Sequence, residues 1–137
     1  RLGALLAGTH ELFVKKRAQF SGTDDCTRFF SCAVEYNRFR DAADQSPAQE
    51  PQLLQGTARP RLIYTGLIDG RLDPAIVEAL ATHNDRAWQV IMVGPVEEGS
   101  FPAAELAARH PNVRFTGQVP YSELPALLAA SDVCLMP

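Results

Sequence analysis

The second half of the sequence predicts an α/β fold, a parallel sheet with flanking helices. Short apolar runs (RLIYTG, WQVIMVG, NVRFTG and DVCLMP) alternate with amphipathic stretches. That order marks a parallel sheet with helices on its faces. The runs are continuously apolar rather than alternating, as in strands buried on both sides. Three of them close on glycine, at Gly66, Gly94 and Gly117.

Taken in order, the first strand is expected over residues 61–65. LDPAIVEALATH follows as a helix. Asp73 can cap it, Pro74 suits its first position, and Ile76, Val77 and Leu80 share one face. HNDRA reads as a turn, and 88–93 as the second strand. Beyond the loop PVEEGSFP, AAELAARH reads as a helix stopped by Pro111. The third strand is expected over 113–116. YSELPALLAAS is a third helix, with Leu124, Leu127 and Leu128 on its apolar side, and 132–136 is the fourth strand.

Residues 1–41 are mixed in character. LGALLA reads as a short buried strand. Thr9 is an N-cap for a helix carrying Lys15, Lys16 and Arg17 in its last turn, where cations suit the helix dipole. SGTDD is a turn, TRFFSCAV a second strand candidate and EYNRFRDAAD a short helix. Residues 42–59 are rich in Ala, Gln and Pro and lack an apolar period. They read as a linker, since structureless loops beyond about 12–15 residues are uncommon inside a compact domain; a long surface loop is the alternative. The expected organisation is therefore a first region over 1–41, a linker over 42–59 and a second domain over 60–137.

Composition narrows the function classes. With 46% hydrophobic and 21% charged residues among 137, the chain is an ordinary globular one. A net charge of −3 argues against a nucleic-acid partner. Cys26, Cys32 and Cys134 are few, odd in number and scattered. They predict neither a disulfide framework nor a zinc site, and they fit a reducing cytoplasm. No apolar run reaches the roughly 18–20 residues of a membrane span. The opening RLGALLAGTHELFVKK places most of its charge after the apolar stretch, the reverse of a secretory signal. The chain lacks an initiating Met and ends on Pro137 straight after an apolar run, so both ends are expected to lie within a longer protein.

In open parallel sheets, ligands bind beyond the carboxyl ends of the strands. Glycines there allow close backbone approach and are expected to free amide donors for phosphate oxygens; the bland alternative is a tight turn at each. The loop TGLIDGRLDP is the richest. Arg71, beside a helix N-terminus, suits a pyrophosphate clamp, or else forms an ion pair with Asp69. The loop is neither a G-x-G-x-x-G fingerprint nor a Walker loop. Glu97 and Glu98 read as a solvated pair. His10, His83 and His110 lack metal-ligand spacing, so no metal site is expected. His83 and His110 stand at helix C-termini, where imidazole can satisfy carbonyls. No Ser-His-Asp or Cys-His set can be assembled, so catalytic residues remain unassigned.

The motif order RPRLIYTGLID, WQVIMVGPV and HPNVRFTGQVPYSELPALLAASDVCLMP resembles the C-terminal domain of GT-B glycosyltransferases of the bacterial "group 1" type. The resemblance covers 60–137. LLAGTHELFVKKR is also similar to the last strand and helix of that family's N-terminal domain, and FFSCAVEYNRFR to the segment leading into its linker. What the resemblance implies is a Rossmann-like domain binding a nucleotide-diphosphate sugar, in an enzyme that passes the sugar to an acceptor hydroxyl during polysaccharide or glycolipid synthesis. Gly66 and Arg71 would lie near the diphosphate, and Gly94 and Pro95 would border the donor pocket. Gly117, Gln118 and Val119 would hold the base through backbone groups. The family's pair of donor-site glutamates would follow Pro137, so the chain alone is expected to be inactive. The implied partners are the nucleotide-sugar donor and a saccharide or lipid-linked acceptor, in the cytoplasm or peripherally at the inner membrane face, with no cofactor. The sequence departs from the family at Ser31–Glu35 and lacks the basic pair of the first loop. A sugar-nucleotide epimerase of the same fold, or a non-catalytic α/β nucleotide-binding domain, are the competing readings.

Overall fold

A computed structural model describes residues 4–20, 26–31, 33–44, 50–83 and 88–137. The SGTDD turn, most of the HNDRA turn, Cys32 and the middle of the expected linker lie outside the described residues. The chain divides into two compact units, 1–36 and 37–137.

In the first unit, β1 (Leu5–Ala7) and β2 (Thr27–Phe29) pair in parallel, and α1 (His10–Gln19) packs on both. The Thr9 hydroxyl caps α1 by accepting from the Leu12 amide at 3.2 Å. Phe13 of α1 meets Phe29 of β2 edge-on, with ring centroids 6.1 Å apart. The expected burial of β1 is realised only in part: Ala7 is covered, whereas Leu6 is 63% exposed. Successive residues of a strand face opposite ways.

The second unit carries α2 (Tyr36–Asp44) apart from its first residue, a 3₁₀ turn (Gln52–Leu54) and a four-stranded sheet. The strands are β3 (Arg61–Thr65), β4 (Gln89–Val93), β5 (Val113–Gly117) and β6 (Val133–Cys134). They lie in the order β5-β4-β3-β6, every pair parallel. The regular part of β6 is shorter than expected, although the Leu135 amide still reaches the Ile63 carbonyl at 2.7 Å. The helices are α3 (Pro74–Thr82), α4 (Ala103–Arg109) and α5 (Leu124–Ala129). Asp73 caps α3 through the Ala75 amide at 2.9 Å. The expected helix over YSELPALLAAS opens instead with a 3₁₀ turn (Tyr121–Glu123). Pro125 has no N–H to give the Tyr121 carbonyl, which takes the Leu124 amide instead.

Alternation along the strands explains the continuous apolar runs. Val90, Met92 and Val113 face Val77 and Ala81 of α3 and Leu106 of α4. Ile63, Ile91 and Val93 face Leu127, Ala130 and Leu54 on the other side. The chain starts this sheet in its interior, steps from β3 through β4 to β5, then crosses back to add β6 beside β3. That reversal opens a crevice at the carboxyl ends of the strands.

The later part of the segment read as a linker is ordered on this unit. Leu54 is wholly buried. Arg61 is 3% exposed, and its guanidinium donates to Thr57 O, to Ala130 O at 3.3 Å and to Leu54 O at 3.2 Å, and pairs with Glu50. Arg114 donates to Leu53 O at 3.1 Å. At the same end of the sheet the Arg61 amide donates to Asp132 Oδ2 at 2.7 Å, and Arg59 pairs with that carboxylate. The amide first, and the Arg59 guanidinium after it, hold the Asp132 carboxyl below its usual value. The last carbonyls of α3 are satisfied by groups other than the histidine rings. Trp88 Nε1 donates to Leu80 O at 2.7 Å, and Asn112 Nδ2 to Ala81 O at 2.9 Å. The His83 ring stacks on Trp88, and His110 Nε2 lies 3.4 Å from Glu78.

Candidate functional site

The loops leaving β3, β4 and β5 are stitched together by backbone. The Gly66 amide donates to Val93 O at 3.0 Å, and the Gly94 amide to Gly117 O at 2.9 Å. Farther out, Ile68 N reaches Pro95 O and Glu97 N reaches Ile68 O, each at 2.9 Å. The amides of Gly66 and Gly94 are therefore engaged within the sheet edge. They do not stand free for phosphate oxygens, as the sequence had suggested.

What glycine supplies here is proximity. A Cβ on Gly94 would lie 1.8 Å from the Gly66 carbonyl oxygen, far inside any real contact. Gly117 has φ 74°, in the left-handed region, with open space where a side chain would stand. The two positions need glycine for different reasons, one steric and one conformational.

This stitched edge borders a cavity of 190 Å³. Gly66, Gly94, Pro95, Gln118 and Val119 line it, together with Thr65, Val93 and Leu124. Gly117 joins through its bond to Gly94. The sequence reading missed the last three lining residues. Strand alternation was the available signal for Val93, which shares a face with Ile91, and the apolar side of the third helix for Leu124. Among the described residues, no ionisable side chain lines the cavity. Its walls are backbone, aliphatic groups, a hydroxyl and an amide. Such a surface can hold a flat uncharged ring between apolar faces and hydrogen-bond its edge.

Arg71 stands elsewhere. It lines a second cleft, of 260 Å³, with Tyr64, Leu67, Asp69, Leu72, Met136 and Pro137, where the chain leaves β3 and β6. Its Nε lies 2.9 Å and its Nη2 2.8 Å from Asp69 Oδ2, and its amide donates to Asp69 Oδ1 at 3.0 Å. Of the two readings open for Arg71, the ion pair with Asp69 is formed. The Arg71 side-chain bond first, then its amide, hold the Asp69 carboxyl below the usual value; Asp69 in turn raises the Arg71 pKa. The Arg71 side chain nevertheless remains 76% exposed. Among the described residues, no three His, Cys, Asp or Glu side chains gather as a metal site. No helix there is long and apolar enough to cross a membrane.

Comparison with known proteins gives a fold relationship. No family model matches the chain, and no curated protein matches it in sequence. Among solved structures, the chain is similar to HepE of Anabaena, crystallised in complex with UDP and glucose, with a TM-score of 0.62 and 18% identity. The match covers 96% of this chain and 37% of HepE, so the chain spans little more than a third of that protein's length. At this identity the likeness establishes a shared α/β architecture of parallel sheets flanked by helices.

Proposed function

We propose that this chain contributes the nucleotide-binding part of a GT-B-type glycosyltransferase of the bacterial group 1 kind. In this reading residues 1–41 close an acceptor-binding domain, 42–59 join the two domains and 60–137 begin the donor-binding domain. The enzyme would move a sugar from a nucleoside-diphosphate sugar to an acceptor hydroxyl on a saccharide or lipid-linked chain, in the cytoplasm or at the inner membrane face. The observation that carries this reading is the uncharged cavity at the carboxyl edge of the sheet, lined by Gly66, Gly94, Pro95, Gln118 and Val119. The ligands in the HepE crystal, UDP and glucose, support the same chemistry.

The base fits the uncharged cavity, where stacking on aliphatic walls and backbone bonding need no ion. The diphosphate then runs outward past Gly66. The same loop carries Arg71 into the neighbouring cleft, so its exposed guanidinium would meet the phosphates while Asp69 keeps it oriented. The chain's own contribution in this reading is binding and orientation of the donor, through backbone, aliphatic walls, the Thr65 hydroxyl and the Gln118 amide. Calorimetric titration with UDP and with uridine tests the reading. Binding of both, with loss of both in Gly94→Ala, supports it. UDP binding that is unaltered in both Gly94→Ala and Arg71→Ala would show that the glycines are only turns.

A further inference from the structure

The segment Gln118–Leu124 lines the cavity at both of its ends, through Gln118 and Val119 before and Leu124 after. Its start is pinned where the Gly94 amide meets Gly117 O, and its end packs with Leu127 in the apolar core. Tyr121, midway along, is 47% exposed and takes no part in lining the cavity. Its ring meets α2 instead. The Phe39 ring stands edge-on to it at 6.0 Å between centroids, and the Arg38 guanidinium lies 5.7 Å from its centroid. Edge-to-face and cation–π contacts each stabilise such a seat modestly. The chain passes from the first unit to the second within α2.

We propose that Tyr121 is a positioning residue that couples α2 to the Gln118–Val119 wall of the cavity. Its seat on Phe39 and Arg38 fixes where that wall stands, and an occupied cavity in turn holds α2 more firmly. The inference rests on the nucleotide-binding reading of the cavity. Reciprocity is required by linkage: if α2 alters the affinity for a nucleotide, the nucleotide alters the stability of α2 by the same factor. Leu53 and Leu54 belong to the same apolar cluster as Val119 and Leu124.

The test measures UDP affinity by calorimetry and amide hydrogen exchange over residues 37–44. It uses the wild type, Tyr121→Phe, Tyr121→Ala, Phe39→Ala and the double alanine variant. Tyr121→Phe keeps the ring and should bind UDP as the wild type does. Tyr121→Ala and Phe39→Ala should each weaken binding by about threefold to tenfold, as the loss of one aromatic pair implies, and the double variant should be no weaker than the weaker single. UDP should slow exchange over 37–44 in the wild type and not in Tyr121→Ala. Both aromatic residues have partly exposed side chains, so the fold should survive. If both single variants bind UDP like the wild type while Gly94→Ala does not bind, the coupling is overturned and the nucleotide reading stands. If the wild type fails to bind UDP, or Gly94→Ala binds it normally, both are overturned.

Discussion

The cleft over β3, β4 and β5 has walls of glycine backbone and aliphatic side chains, whereas the one over β3 and β6 is rimmed by the Asp69–Arg71 pair. They share an edge of one sheet and differ because of what packs beneath them. Val93, Val119 and Leu124 extend the apolar core up to the first cleft, and the backbones above are drawn so close that Gly94 cannot carry a side chain. The second lies where the strand order reverses, with the Asp69–Arg71 loop on its rim. The proposed nucleoside diphosphate, with a flat uncharged end and an anionic middle, would span the pair of clefts. Gly94 serves backbone proximity and Gly117 a left-handed turn, and the charge in this pair of clefts is carried by side chains.

The difference can be broken most forcefully at Gly94. Gly94→Ala drives a methyl group into the Gly66 carbonyl. It should lower unfolding free energy by about 2–4 kcal/mol in denaturant titration and remove uridine and UDP binding alike. Arg71→Ala should act on one ligand only. UDP affinity should fall by about 1.5–3 kcal/mol in calorimetry while uridine affinity is unchanged, as expected for a charge-assisted bond to phosphate. Gly117→Ala has room for its methyl but sits in left-handed backbone, and should cost about 1 kcal/mol of stability. Gln118→Ala should change UDP affinity by less than about 0.5 kcal/mol, because the base contact proposed there is through backbone.

A pH experiment marks the opposite end of the sheet. The Asp132 carboxyl is held below its ordinary value of 3.8, so its contribution to stability is fully present above that pH. It disappears as pH falls through the lowered value, where the folded state must take up the proton. Asp132→Asn should therefore flatten the fall of Tm with pH below 3.8 and leave UDP affinity at neutral pH unaltered.

The sheet and its helices were legible because the alternation of apolar runs with amphipathic stretches, Asp73, Pro74 and the closing glycines all point the same way. Five of the proposed site residues gather round one cavity for that reason: they follow directly on strands whose ends were readable. Arg71 was left with two readings because its partner choice depends on how the loop folds back, and spacing alone does not encode that. The packing of residues 50–57 was hidden for a different reason. Only Leu53 and Leu54 are apolar there, and the segment's order comes from arginine side chains reaching its carbonyls from other elements. The split of the last helix was written in the sequence as Pro125.

Backbone amide shifts recorded during a UDP titration report on both clefts at once. The largest changes are expected at Gly66, Gly94, Gln118 and Val119, with a second group at Arg71 and Leu72 that uridine does not produce. Changes confined to residues 69–72 with none at 117–119, or no changes at millimolar UDP, would contradict the nucleotide-binding reading.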